Sequence, residues 1–439
     1  MDTDMDLESL LPTESAVLDS SVVAEALFGL EEAATDEPEC TITVEFYIHH
    51  VQCELEASFS KFKPLCPLGS LAPGGRRSWY LLCLKALQRH ASNKSSFSLD
   101  SASRYLSTEN LLGVEATDVV YDRLARHFVF ALIGASTYLF RPIFAESMDL
   151  PVYRIQDLYP KTSHRYASVL ANKIMVTDTR RPVSTLLKGF GELGPTMDPM
   201  HRTSSTQIIR LYPETFNAHL IISVLKVNIK WTDILCAHLD YDDRTNTLFL
   251  FKFPAFCLLN SILHTPQGTK TLWQSCTKTH RDDGDLIPRD LMSEIILSIF
   301  LLFGQHARSR HIFHPKDAFP GLAQPLHDPL LKDLCKGLWP LKDSLPEPKS
   351  VYYLPNDFPM LSAKLDYLYN RLSQAEPTTL RQLWRDTRNT NQWYTFWAVI
   401  FYGTLGLVLA VVQTGLGAAQ VYLAGAAGSG SGQDNSTNF

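Results

Sequence analysis

The feature that most constrains this chain is a stretch of 45 consecutive residues without a charge, positions 389–433. From Trp393 to about Leu423 it is apolar enough to cross a bilayer core, which needs roughly 20 helical residues. A buried helix of a soluble domain is the alternative interpretation, but such domains rarely contain so long an uncharged apolar run. The sequence therefore predicts one transmembrane helix near the C-terminus.

The residues that flank this stretch predict its orientation. Three arginines precede it, whereas the tail behind it carries only Asp434, and the positive-inside rule keeps the basic side in the cytosol. Aromatic residues, which favour membrane interfaces, lie at both ends. The predicted interface residues are Arg381, Arg385, Arg388, Trp393, Tyr394, Phe396, Trp397 and Tyr422. The chain is expected to be a single-pass membrane protein with its bulk in the cytosol.

The short segment behind the span, 424–439, predicts how the span is inserted. Because so few residues follow it, the span would leave the ribosome only when translation ends, which favours post-translational, tail-anchored insertion. The N-terminus has no basic region followed by an apolar run, so we expect no insertion there. The triplet that begins at Asn435 matches a glycosylation acceptor, and this topology would place it in a lumen or outside the cell.

Small and amide residues recur within the span at spacings of three, four and seven. They are Gly406, Ala410, Gln413, Gly417 and Gln420. Small residues let helix backbones approach, and amides can bond across the contact, for on the order of 1 kcal/mol each. The spacing predicts a face for self-association; the alternative is the ordinary composition of a membrane helix.

Charge is distributed unevenly along the chain. Residues 1–60 contain fifteen Asp and Glu but no Lys or Arg, so the remainder carries 40 basic against 31 acidic residues. No concentrated basic surface is indicated, which argues against nucleic acid as a partner. The eight cysteines form no CxxC pair, as is typical of reduced thiols in a cytosolic domain.

Hydrophobic periodicity predicts a mainly α fold with a minor β component (α+β), made of a soluble helical domain plus one C-terminal transmembrane helix. A strand is expected over Thr41–Ile48, and a hairpin near 234–253 with a polar turn at Asp240–Asn246. The predicted helices are Trp79–Gln88, Ser101–Leu112, Thr117–Tyr138, Glu214–Val227, Arg289–His306 and Met360–Leu372. The predicted organisation is an acidic disordered leader (1–40), a mainly helical globular domain (41–314), an irregular Pro-rich surface connector (315–359), juxtamembrane helices (360–392), the transmembrane helix (393–423) and a flexible tail (424–439).

Two nucleotide-binding patterns fail on their context. The glycines of 189–194 spell GxGxxG, but Pro195 follows at once and no strand leads into them. His280, Arg281 and Asp282 resemble a kinase HRD, but the position of the metal-binding Asn is Ile287. We interpret both matches as accidental and predict no cofactor.

Two metal-like patterns fail in the same way. His306, His311 and His314 lie among basic residues that oppose a cation. The acidic run Asp240–Asp243 lacks the central Gly and closing Glu of a calcium loop and is better explained as a hairpin turn. No catalytic or metal-binding residue is therefore predicted.

The sequence carries one resemblance, in Leu383, Trp384, Arg385, Asp386, Arg388 and the run Gln392–Val399. This part resembles the C-terminal module of a group of filamentous-fungal proteins that end in an Arg-rich juxtamembrane helix, a Trp-Tyr-Thr-Phe-Trp belt and one hydrophobic span. A weaker similarity covers Leu301–Arg310. The resemblance implies a membrane location and no chemistry.

Three functions follow as hypotheses. The first is a non-catalytic, membrane-anchored protein whose helical cytosolic domain binds another protein. The second is a membrane-tethered enzyme, which a cluster of titratable groups in one deep pocket would favour. The third is an acidic regulatory domain that proteolysis releases from its anchor.

Overall fold

The computed structural model describes residues 38–94, 97–113, 119–142, 179–187, 208–262, 271–277, 288–321, 327–339, 347–375 and 390–429. The chain divides into two compact units, Met1–Ala375 and Glu376–Phe439. The first contains many helices and two small sheets, and the second contains one long helix. The predicted fold class, mainly α with a small β component and one long C-terminal apolar helix, is confirmed.

The α-helices of the first unit vary from one turn to five. They are α1 (Pro38–Glu56), α2 (Phe59–Phe62), α3 (Pro73–Ser92), α4 (Leu99–Thr108), α5 (Val119–Thr137), α6 (Val183–Leu187), α7 (Ala218–Leu225), α8 (Pro254–Ile262), α9 (Leu272–Thr277), α10 (Pro288–Ile299), α11 (Ala307–Arg310), α12 (Pro315–Ala318), α13 (Pro329–Lys336) and α14 (Ser362–Gln374). The strands are β1 (Ile209–Leu211), β2 (Asn228–Thr232), β3 (Tyr241–Asp242), β4 (Thr247–Phe251) and β5 (Tyr352–Leu354). A π-helical turn, Phe300–Gly304, continues α10, and α15 (Thr390–Ser429) forms the second unit.

The two sheets are small, and both belong to the first unit. In the larger one β4 is central, with β2 parallel on one side and β3 antiparallel on the other. All five residues of β4 are buried, as expected for a strand covered on both faces. The other sheet pairs β1 with β5 antiparallel.

Helix α1 connects two groups of helices. It packs on α5, which packs in turn on α4, and it also packs on α8, which lies against α10. Within the first group the ring of Trp79 stacks on Phe128 at 4.8 Å, and the Trp79 indole donates to the Leu111 carbonyl. The core is therefore continuous from α3 to α10 through α1.

Aromatic rings fill the place where α1, β4 and α8 meet. The ring of Tyr138, directly after α5, lies 4.8 Å from Phe253, 4.9 Å from Phe256 and 5.7 Å from Phe251. We call these rings, with Tyr47 and His50 of α1, the Tyr138 cluster. Such pairs add roughly 0.5–1.5 kcal/mol each beyond burial of area.

Several helix starts have the caps that their sequence provides. Ser98 and Ser101 form a reciprocal capping box at α4, and the Asn217 side chain accepts from Leu220 N at α7. Helix α14 is capped from a distance, because the buried carboxylate of Glu294 accepts from the backbone N–H groups of Met360 and Leu361. These bonds fix where the helices begin.

Each of the six predicted helices overlaps an observed one, but the strand predicted over Thr41–Ile48 is wrong. Those residues lie within α1. Tyr47, Val51 and Leu55 are four residues apart and all buried, which is the period of a helix. The segment predicted as a strand ends at Ile48, before this period becomes visible. The Tyr47 hydroxyl donates to the Ser136 carbonyl at 2.5 Å, which ties α1 to α5.

The hairpin expected near 234–253 is shorter than predicted. Its first half contains a 3₁₀ turn, Leu235–Ala237, and the antiparallel pair is formed by β3 and β4 alone. The sequence analysis missed β2, which pairs parallel with β4. This strand has only five residues, of which the first is exposed and the next two are half-buried, and a parallel pair has no hairpin turn to mark it in the sequence.

The Pro-rich segment 315–359 is not the irregular surface connector that was expected. Pro315 and Pro329 stand at the starts of α12 and α13, where a missing N–H costs nothing. The side chains of Leu331 and Tyr352 are completely buried. The described parts of this segment contribute residues to the core of the first unit.

Asp328 generates a prediction about the pH dependence of stability. Its carboxylate is buried and accepts from Leu331 N and Ala255 N, each at 3.0 Å. Burial raises the pKa of Asp328 from 3.8 to about 7, against the lowering effect of the backbone N–H donors. Between these two pH values the folded chain binds the proton more tightly than the unfolded chain, so stability from this group falls as pH rises.

We therefore expect the difference in unfolding free energy between wild type and Asp328→Asn to shrink by on the order of a few kcal/mol from pH 4 to pH 7. Thermal unfolding of the detergent-solubilised chain, followed by near-ultraviolet circular dichroism, measures it. The control is Asp317→Asn, at an exposed position of α12. A difference that stays constant across this range would show that folding leaves the pKa of Asp328 unchanged.

Candidate functional site

The first candidate site is the surface of α15. Its segment Tyr394–Ala426, 33 residues with a mean hydropathy of 2.1, is long and apolar enough to cross a membrane by length and composition. None of its most apolar stretch is buried, whereas the core helix of a soluble protein would be mostly buried. Large exposed apolar surfaces mark membrane or protein contacts.

The aromatic residues of α15 are spaced to suit the two surfaces of a bilayer. Tyr394 and Tyr422 are 28 residues apart, which corresponds to about 42 Å along a helix. A bilayer with its headgroup regions is about 40–45 Å thick. Phe396 and Trp397 lie in the same first turn as Tyr394, with ring centroids 5.8 Å apart.

The other predicted interface residues are less fully placed. Trp393 lies in α15, but its side chain is not among those described. Arg381, Arg385 and Arg388 fall outside the described residues, as does Asn435. Their role at the interface stays a prediction.

Polar side chains on α15 divide into two kinds. The hydroxyls of Thr404 and Thr414 donate to the carbonyls of Ile400 and Ala410, each at 2.8 Å, and so need no external partner. The amides of Gln413 and Gln420 make no side-chain hydrogen bond within the described chain. These two amides can therefore bond to another molecule.

The five residues predicted as a helix-helix face share one side of α15. At 100° per residue, Gly406, Ala410, Gln413, Gly417 and Gln420 fall within an arc of about 80°. No described atom lies within 4 Å of where a Cβ would stand at Gly406 or Gly417. The arrangement leaves a shallow groove with two amides beside it.

The second candidate site is a cavity of about 160 Å³ in the first unit. Helix α1 contributes His50 and Glu54, which are one turn apart on one face. The segment after α5 contributes Tyr138 and Arg141, and Asp233 follows β2. Sequence reasoning missed this site, because its residues converge from distant parts of the chain and form no local motif.

Three polar groups of this cavity have unmet hydrogen-bonding capacity. In the described part of the chain, the His50 imidazole, the Glu54 carboxylate and the Tyr138 hydroxyl have no hydrogen-bond partner. The side chains of His50 and Tyr138 are more than nine-tenths buried. Arg141 and Asp233, by contrast, form an ion pair at 3.1 Å.

The backbone at Tyr138 is unusual. Its φ is +52°, in the left-handed region that bulky residues rarely adopt. Such conformations cost about 1–3 kcal/mol and persist where the surrounding structure imposes them, often at functional sites. Here the packing of the Tyr138 cluster holds the ring in the cavity wall.

Burial determines the protonation of the cavity. It lowers the pKa of His50 to about 3, with Lys252 acting in the same direction, so the imidazole is neutral at pH 7. Burial also raises the pKa of Glu54, which Arg141 opposes and Asp233 reinforces. Perturbed groups lining one cavity are a reason to consider binding or catalysis there.

A buried Ser-His pair lies elsewhere in the core but cannot act as a nucleophile and base. Ser298 Oγ lies 2.8 Å from His238 Nε2, while His238 Nδ1 accepts from the backbone N–H of Phe251. The proton is therefore on Nε2, which donates to the serine rather than accepting from it. The serine hydroxyl donates to the Ile295 carbonyl, and both side chains are buried. The pair is structural.

The acidic run that resembled a calcium loop has structural partners. Asp240 pairs with Lys364 at 2.9 Å, and Asp243 accepts from the Tyr367 hydroxyl and pairs with Arg371. These contacts fasten the turn to α14, in agreement with its interpretation as a turn.

The remaining motifs have no further support. His306 precedes α11, and the described residues contain no group of three or more His, Cys, Asp or Glu that could hold a metal. The GxGxxG glycines and the triplet His280–Asp282 lie outside the described residues.

Comparisons with protein families, with curated proteins and with solved structures found no match to this chain.

Proposed function

We propose that this chain is a tail-anchored, single-pass membrane protein that holds its helical domain on the cytosolic side of the membrane, where the domain binds another protein. The observation that carries the anchoring is the segment Tyr394–Ala426, which is uncharged, helical throughout and nowhere buried in its most apolar stretch. In water this surface would be strongly unfavourable, at roughly 25 cal/mol for each Å² of apolar area. A bilayer removes that cost.

The proposed orientation is supported by the flanking charges. Arg381, Arg385 and Arg388 precede the helix, and Asp434 is the one charged residue behind it. Moving three arginines across a bilayer is far less favourable than moving the nearly neutral tail. The bulk of the chain therefore stays in the cytosol.

Removal of residues 389–439 tests the anchor. Fluorescently tagged full-length protein is expected to stay in the membrane pellet after carbonate extraction, because the apolar helix is embedded in lipid. The truncated chain is expected in the supernatant, with near-ultraviolet circular dichroism confirming that it is folded. The anchor is refuted if carbonate washes the full-length protein off.

A glycosylation reporter tests the orientation. A sequence of about twenty polar residues that ends in an Asn-Gly-Thr acceptor is appended after Phe439, beyond the span by more than the interfacial thickness. The luminal topology predicts a mass increase that endoglycosidase removes, and an acceptor mutated to Gln-Gly-Thr is the control. An unmodified reporter on a chain that resists carbonate would reverse the orientation.

Self-association through α15 is the second part of the proposal. The face defined by Gly406, Ala410, Gln413, Gly417 and Gln420 supports it, because the glycines permit close approach and both amides are available for bonds across the contact.

Leucine substitutions test this face. Gly406→Leu with Gly417→Leu is expected to lower the yield of crosslinked dimer several-fold, because the added side chains separate the backbones. The control is Gly415→Leu with Ala418→Leu, which lies on the other side of the helix near the depth of Gly417. Equal dimer yields from the two double variants and the wild type would exclude the face.

A protein partner is proposed for the helical domain, which leaves some large apolar side chains exposed. The side chains of Leu68, Val119, Ile208 and Leu338 are each more than half exposed. The composition of residues 1–60, with fifteen acidic and no basic residues, suits a basic partner. A tethered enzyme is the alternative, and the cavity with its perturbed His50 and Glu54 favours it.

A further inference from the structure

The cavity beside the Tyr138 cluster is incomplete as a network of hydrogen bonds. Within the described chain, His50, Glu54 and Tyr138 all line it and none has a hydrogen-bond partner. More than nine in ten buried polar groups in proteins are paired, since desolvation without pairing is costly. The Tyr138 hydroxyl is fully buried and unpaired within the described chain, and the half-buried Glu54 carboxylate faces the same space, so one molecule in the cavity can bond to both.

The charges of the lining residues indicate whether that molecule is a cation or an anion. Among the residues that line the cavity, the two carboxylates of Glu54 and Asp233 outnumber the guanidinium of Arg141, which pairs with Asp233 and also acts on Glu54. Lys252 lies nearby, but its ammonium faces the rings of Phe253 and Phe319, at 5.0 and 5.8 Å, and it does not line the cavity. An anion would be repelled by Glu54, whereas a monocation would neutralise it.

The groups without partners also favour a ligand rich in donors. A carboxylate only accepts, and the neutral imidazole and the phenol each provide an acceptor. The rings of His50, Tyr138 and Phe140 line the same space, and aromatic faces attract cations. The volume, about 160 Å³, is close to that of a cavity of about 150 Å³ that holds benzene.

We propose that this cavity binds a small organic cation, a primary ammonium on a compact apolar body of up to about ten heavy atoms. The ammonium donates to Glu54 and to His50 or Tyr138, and the apolar part lies against Ala131, Ala135 and Phe140. This site goes beyond the anchoring function and does not depend on it.

Three isosteric probes test the charge of the ligand on the full-length, detergent-solubilised protein. Benzylamine is a cation, benzyl alcohol is neutral and benzoate is an anion, all with the same ring. Calorimetry is expected to show benzylamine binding at least about tenfold more tightly than benzyl alcohol, as for a charge-assisted bond, and benzoate not binding. Empty micelles correct for partition of each probe into detergent.

The variant Glu54→Gln assigns the charge to one residue. It is expected to weaken benzylamine about ten- to a hundredfold and to leave benzyl alcohol nearly unchanged. Glu109→Gln, at an exposed position at the end of α4, is the matched control and should bind both as wild type does.

The unfolding temperature of Glu54→Gln distinguishes a ligand-binding role from a structural one, because the two roles predict opposite changes. Because Glu54 is a carboxylate without a partner, Glu54→Gln is expected to unfold at the same or a higher temperature than wild type. A lower unfolding temperature would mean that Glu54 has a structural partner, and the proposal would be abandoned. It would also be abandoned if benzylamine failed to bind at millimolar concentration, if Glu54→Gln bound it as tightly as wild type, or if benzoate bound best.

Discussion

The packing of the Tyr138 ring is the interaction on which the first unit depends most. It contacts rings from α1, from β4 and from α8, so the helices on either side of α1 meet on one side chain. The same packing holds Tyr138 at φ +52° and leaves open space on the side of Arg141 and Asp233. The ring contacts of Tyr138 and the cavity beside them therefore have one origin.

Two buried carboxylates in this unit have hydrogen-bond partners that Glu54 lacks in the described part of the chain. Glu294 accepts from two backbone N–H groups at the start of α14, and Asp328 accepts from two that belong to α8 and α13. Each of these bonds compensates desolvation and joins two elements. Glu54 is half-buried and makes no hydrogen bond in the described chain, and the nearby charges of Arg141 and Lys252 oppose the effect of burial on its pKa without reversing it. Proteins retain the cost of such a group mainly where a ligand or a reaction removes it.

The sequence could predict features that depend on local pattern. The six predicted helices and the apolar C-terminal helix follow from periodicity and composition. The strand prediction for Thr41–Ile48 was wrong because apolar and polar residues alternate over these eight positions. The buried positions Val51 and Leu55, which continue a helical period, lie beyond them. The cavity could not be predicted at all, since His50 and Asp233 are brought together by long-range packing of α1, α5 and β2 that no local spacing encodes.

Helix α15 also carries polar groups without a partner in the described chain, but the free energy at stake is smaller. In lipid every donor must be satisfied, and the threonine hydroxyls achieve this within the helix. The amides of Gln413 and Gln420 do not, but an amide bond between membrane helices is worth only about 1 kcal/mol. Amides alone would hold two helices weakly, so the glycines on the same face matter as much, because they let the backbones approach. Glu54 differs in degree, since a carboxylate in a small cavity costs more to leave unpaired than an amide does. Of the two surfaces that lack partners, the cavity has the stronger physical demand for one.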